Sequence, residues 1–161
     1  KVVEEVLRDP TVIAISTIIF GLLLWWADQK GRRTRKIEDL QPKDALLIGL
    51  FQAVALIPGT SRSGITMTAG LMLGLSRSDA ARFSFLMAVP IIAAAGCLKA
   101  VALISKPGQV SFEIIFLGIS VSFVTARVVI ALFLKSIEQI GMTPFVLYRL
   151  VLGFALLVWF W

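Results

Sequence analysis

The chain has 161 residues, 58% of them hydrophobic and only 16% charged, with a mean hydropathy of +0.90. A soluble fold of this size cannot hide that much apolar surface, so the composition excludes a soluble domain, a disordered tail and a nucleic-acid module, and points to an integral membrane protein. The single Cys97 cannot pair within the chain, the absence of histidine removes the commonest general base and metal ligand, and the net charge of +6 is unevenly spread.

The first ten residues, KVVEEVLRDP, mix charges and lack the continuous apolar run of a cleavable signal peptide. A start at Lys1 rather than Met suggests a fragment or a processed piece. A spanning helix takes about 20 mostly apolar residues. Residues 11–27 form the first such stretch and end in the interfacial pair Trp25 and Trp26. The chain then reads ADQKGRRTRKIEDLQPKDA, which places Lys30, Arg32, Arg33, Arg35, Lys36 and Lys43 in one loop. Two readings fit that cluster: a patch for an anionic lipid or nucleic acid, or a cytoplasmic loop obeying the positive-inside rule, which its place between apolar segments favours.

Residues 45–57 and 65–75 are apolar but short, and at ~1.5 Å per residue neither crosses a ~30 Å hydrocarbon core. Between them lies Pro58-Gly59-Thr60-Ser61-Arg62-Ser63-Gly64, polar and rich in helix breakers. Two half-helices joined by such a loop predict a re-entrant hairpin over about 43–75, the sequence pattern that marks a membrane binding site. Three further spans follow at 83–104, 112–134 and 145–161, the last closing on Trp159, Phe160 and Trp161. Pro90 predicts a kink, Ser76-x-x-Asp79 a capping box, Thr143-Pro144 a helix start, and Gly70-x-x-x-Gly74 a close-packing face. With the basic loop and both ends of the hairpin on one side, that side collects nine cations (the six above with Arg77, Arg82 and Lys135) against Lys1, Arg8 and Lys106 opposite. The expected fold is all-α: one transmembrane domain over 1–161, with about four spanning helices and one re-entrant hairpin.

Arg62 carries the chemistry. A guanidinium at membrane depth costs at least ~2.5 kcal/mol on insertion scales and needs an interior partner or a ligand. Its planar fork matches phosphate or carboxylate oxygens. Thr60, Ser61, Ser63 and Thr66 surround it with hydroxyls, Gly59 and Gly64 let backbone amides approach an anion, and the helix that starts after them presents its positive end. An oxyanion site fits all of these features; pairing of Arg62 with a carboxylate elsewhere is the alternative. Gln52 suits either a ligand or a neighbouring helix, Lys99 can snorkel, and Arg127 suits either a phosphate or a carboxylate. Arg149 lies one turn into the last span. The acidic residues, Glu4 and Glu5 among them, fall in loops or near span ends, so the chain supplies neither a base nor a metal site beside Arg62 and reads as half an active site.

The run FQAVALIPGTSRSGITMTAGLMLGLSRSDAARFSFLMAVP at 51–90 resembles the second signature region of the undecaprenyl-diphosphate phosphatases, membrane proteins associated with bacitracin resistance. The Pro-Gly-x-Ser-Arg-Ser-Gly core, Gly-Leu-Ser-Arg, Phe-Ser-Phe-Leu and the ending PFVLYRLVLGFALL all take part. The resemblance covers the later part of a family member; the family's Glu-rich helix and Pro-x-Ser-Ser-x-Gly-His loop are not in this chain. It implies half of an inverted-repeat fold, an absent N-terminal half as partner and a possible homodimer. The implied activity removes the terminal phosphate of a C55 polyprenyl diphosphate at the outer face of the bacterial cytoplasmic membrane, with Mg2+ or Ca2+ held mainly outside this chain. Arg62 then matches the residue that grips the diphosphate and Ser61 and Thr66 match hydroxyl positions of the same site, with Gly59, Thr60, Ser63, Gly64 and Gln52 as substrate-binding candidates. A transporter or flippase for an anionic or lipid-linked substrate is the rival expectation, because broken helices meeting near the midplane also build transporters.

Overall fold

Asp9 opens the first helix by accepting the Thr11 amide on its carboxylate (2.7 Å), with Pro10 at the first helical position, where a missing N–H costs nothing. The computed structural model describes residues 9–104 and 112–160; Lys1, Glu4, Glu5, Arg8, Lys106 and Trp161 lie outside them. Helix α1 is Pro10–Lys30, the hairpin is α2 (Pro42–Ala53) and α3 (Arg62–Met72), and α4 (Arg77–Ile104), α5 (Phe112–Ile140) and α6 (Thr143–Phe160) complete the chain. No strand forms among the described residues, and α1, α4, α5 and α6 are each long and apolar enough to cross a membrane. The protein is an all-α, polytopic membrane protein. Helix α4 runs unbroken through Pro90, and α6 begins at Thr143, one residue before the expected proline start.

Helices α1 and α6 run antiparallel at close range. Met142 donates its amide to Asp28 (3.4 Å), Gly21 faces the Cβ of Arg149, and a Cβ on Gly153 would stand 2.6 Å from Ile18, so small residues set the spacing. Helix α3 lies against α1 on one side and α4 on the other. Gly70 permits the second contact, since a Cβ there would meet Ala80 at 3.1 Å. Half of the expected Ser76–Asp79 capping box forms: Ser76 Oγ accepts the Asp79 amide (3.1 Å) and donates to the Asp79 carboxylate (2.8 Å), whereas the Ser76 amide, which the box would give to Asp79, is taken by the Arg35 carbonyl (3.0 Å).

The core, with Leu24, Met67, Leu71, Leu75, Ile137 and Met142, sits at the end where the basic loop emerges. There Asp28, fully buried, accepts from Nε and Nη2 of Arg77 at 2.6 and 2.9 Å, while Arg33 turns back on a left-handed φ of 54° to bond the Asp28 carbonyl. Arg35 pairs backbone to backbone with the α3–α4 turn through Gly74 and Ser76, and its guanidinium reaches the Leu73 carbonyl and the Asp44 carboxylate. Two of the six loop cations are therefore fastened to specific partners, more than a charge-bias rule requires. The outer half of α4 and most of α5 are apolar and exposed, with Lys99 and Arg127 among these exposed residues.

Candidate functional site

Helices α2 and α3, at 12 and 11 residues, are too short to cross, and the chain between them is held against the middle of α1. Ser16 donates to the Pro58 carbonyl (2.5 Å) and Thr17 to the Gly59 carbonyl (3.2 Å). Thr17 stands thirteen residues before Lys30, so the loop lies roughly 20 Å along α1 from the basic end. Gly59 makes the turn possible: its φ is +87°, and a Cβ would collide with the Ser16 hydroxyl and the Ile13 carbonyl.

Ser61 caps α3, its Oγ accepting the Gly64 amide at 3.1 Å and lying 3.3 Å from Ser63 Oγ. The Ile65 amide already bonds the Ser61 carbonyl, so the amides of Arg62 and Ser63 are the ones left without an intrahelical acceptor at the positive end of the helix dipole. This loop borders a cavity of about 710 Å³, which Gly59, Thr60, Ser61, Ser63 and Gly64 all line. Its other walls are mostly apolar, with Ile13 and Leu24 of α1, Phe85 of α4, Val129 and Phe133 of α5, and Leu152 of α6 among them. Phe85, Phe133 and Phe145 join edge to face at 5.7 and 5.1 Å and tie α4, α5 and α6 together along this wall.

Three candidates fall outside the lining. Arg62 opens α3 half-buried, its guanidinium without a hydrogen bond or ion pair among the described residues. Thr66 is buried and turned to α4, where its hydroxyl sits 2.7 Å from Ser84 Oγ and also donates to the Arg62 and Ser63 carbonyls (3.1 Å each). It therefore holds the first turn of α3 in place. Gln52, on α2, is half-buried and also outside the lining.

Arg149 was not singled out by the sequence reading and stands in the cavity. It is 9% exposed, and its Nη2 donates to the Gly59 carbonyl at 2.7 Å, across 90 residues of chain. Ser16 and Thr17, which hold the loop from α1, were also missed; adjacent hydroxyls inside an otherwise apolar span are the signal that could have found them. The cavity lining contains no carboxylate, thiol or imidazole, and among the described residues no three such groups converge. These residues do not fit a divalent cation; they fit an anion, through hydroxyls, amides and guanidinium.

Fold and site together define a class: a multi-pass helical membrane protein in which a hydroxyl-rich loop between two short helices borders a largely apolar chamber. Residues 1–155 match the family described as bacitracin resistance protein BacA, and the chain belongs to that family. It is 54% identical over 159 residues to the undecaprenyl-diphosphatase of Chromohalobacter salexigens, covering 99% of this chain and 60% of the relative. It is 56% identical over 156 residues to undecaprenyl-diphosphatase 1 of Pseudoalteromonas translucida, covering 97% and 59%. The chain thus spans about 60% of the length of the curated relatives it matches.

Proposed function

We propose that the protein is a membrane phosphatase that hydrolyses undecaprenyl diphosphate to undecaprenyl phosphate and inorganic phosphate, recycling a lipid carrier for cell-wall synthesis and giving bacitracin resistance. The observation that carries this reading is the two-sided cavity: an anion-binding loop on one wall and an apolar chamber on the others, matched to a lipid with a charged head. The names of the relatives support it.

In this proposal Arg62 grips the terminal phosphoryl group and stabilises the charge that develops on its oxygens. Ser61 has a lone pair committed to the Gly64 amide, and with Ser63 donating across their 3.3 Å contact its own proton turns to orient a phosphate oxygen. Thr66 keeps the Arg62 turn in register. Hydrolysis breaks the bond between the terminal phosphorus and the bridging oxygen; a water oxygen ends on inorganic phosphate and the lipid monophosphate leaves. The base that activates the water, and the ligands of a Mg2+ or Ca2+ ion, belong in this reading to the upstream part of the family fold. The end bearing the basic loop is the cytoplasmic one in a bacterial inner membrane, so the loop opens toward the periplasmic side.

The test is phosphate release from a long-chain polyprenyl diphosphate in detergent with magnesium, by the full-length polypeptide and its Arg62→Lys variant. A point charge cannot reproduce the bidentate fork, so the variant should lose about 10²–10³ in turnover while unfolding at the wild-type temperature. Near-normal turnover refutes the clamp. No release by the folded wild type refutes the phosphatase and favours transport.

A further inference from the structure

Two groups on the cavity wall are left without what their chemistry requires. Arg149 is permanently charged and buried, yet no carboxylate pairs with it among the described residues, and the Gly59 carbonyl occupies a single donor of the five that a guanidinium carries. Thr60 is 8% exposed, and its hydroxyl is buried with no hydrogen-bond partner among the described residues. A buried guanidinium without a counter-charge and a buried hydroxyl without an acceptor are each costly, and one group that only accepts hydrogen bonds and carries negative charge would satisfy both. Space has been kept for it. A Cβ on Gly64 would stand 2.9 Å from Arg149 Nη1 and 3.2 Å from Ser61 Oγ, so the missing side chain keeps the guanidinium, the serine and the start of α3 together.

We propose that Arg149 and Thr60 form a second phosphate subsite on the cavity side of the loop, and that it takes the phosphate group joined directly to the lipid chain. This rests on the lipid-diphosphate reading above. The order of the two phosphates follows from placement. Arg149 shares its helix wall with Tyr148 and Leu152 inside the apolar chamber, whereas Arg62 stands outside the lining. A lipid whose chain fills the chamber meets Arg149 first, and its terminal phosphate lies beyond it, toward the first turn of α3. Arg149 is thus a binding residue for substrate and lipid product alike, and its bond to Gly59 sets the loop for both.

Calorimetric titration of the full-length protein in detergent, with a polyprenyl monophosphate and separately with inorganic phosphate, tests this. Arg149→Gln should weaken the monophosphate about tenfold or more, Arg149→Lys less, and Thr60→Val about threefold, with inorganic phosphate nearly unchanged. The KM for a polyprenyl diphosphate should rise by the same factors while kcat moves far less. A folded Arg149→Gln protein that binds the monophosphate within twofold of wild type overturns the subsite. If that variant fails to fold, Thr60→Val decides, and unchanged affinity there overturns it equally. The two readings fail separately: a wild type that binds the monophosphate through Arg149 but hydrolyses nothing refutes the phosphatase and keeps the subsite, whereas hydrolysis indifferent to both variants does the reverse.

Discussion

At the basic end of the bundle Asp28 meets Arg77 in a two-point pair, with Arg33 and the Met142 amide closing the remaining sides. Seven residues along α1 from Asp28, about 10 Å nearer the loop, Gly21 faces another arginine, the buried Arg149, which among the described residues has a single backbone carbonyl and no carboxylate. The first arrangement is complete, and its work is to hold the ends of α1 and α4 and the α5–α6 turn together. The second is incomplete, and what it lacks is the charge and acceptor set of a phosphate. Burial alone does not separate a structural arginine from a functional one in a membrane protein; the number of satisfied donors does.

Breaking the complete site should have the largest effect on stability. Asp28→Ala leaves Arg77 beside a vacated anion, and thermal unfolding in detergent should register a loss of about 3–5 kcal/mol. A variant as stable as wild type would remove the contrast. Gly64→Ala probes the incomplete site from its packing side. The new methyl must push the Arg149 guanidinium or the Ser61 cap aside, so a smaller loss of about 1–3 kcal/mol is expected, accompanied by a raised KM for the lipid diphosphate. An unchanged KM would mean that the guanidinium has somewhere else to go.

The smallest effect concerns pH at the basic end. Arg35 and the Gln41 amide both donate to Asp44, and they hold its carboxyl below the usual carboxylate range. The ionised form is the one favoured by folding, so its contribution is fully present above the unfolded value near ~3.9 and fades as pH falls through the lower folded value. Asp44→Asn should therefore flatten the acid side of the stability profile and leave neutral-pH turnover alone. An unchanged acid profile would show that the Arg35 contact has no ionic part.

Hydropathy and span length made the four long helices and the short hairpin legible, because a ~30 Å apolar slab imposes a length on any helix that crosses it. The Ser76 cap on the Asp79 amide and the close contact at Gly70 were legible too, being local spacing rules with a fixed geometry. Arg149 was not. Sequence gives only its place one turn inside a span, and its partner is a backbone carbonyl, which leaves no complementary residue type in the sequence. The Ser16 and Thr17 contacts were hidden for the same reason, and so was the pairing of Arg35 with the α3–α4 turn. Thr66 was found as a hydroxyl near Arg62, but only the packing of α3 on α4 shows that it points at Ser84.

The bond from Arg149 to Gly59 also has a consequence in time. Ninety residues separate the two partners, so at ~5–20 residues per second several seconds pass between synthesis of the loop and synthesis of the helix that fastens it. Until α6 enters the membrane beside α1, the Gly59 carbonyl has, among the described residues, only Thr17 to hold it, and the cavity lacks one wall and its buried charge. The clasp on the loop is made only once α6 is in place, so a nascent chain arrested before that point can anchor in the bilayer but has neither the Arg149 bond to the loop nor the α6 wall of the cavity.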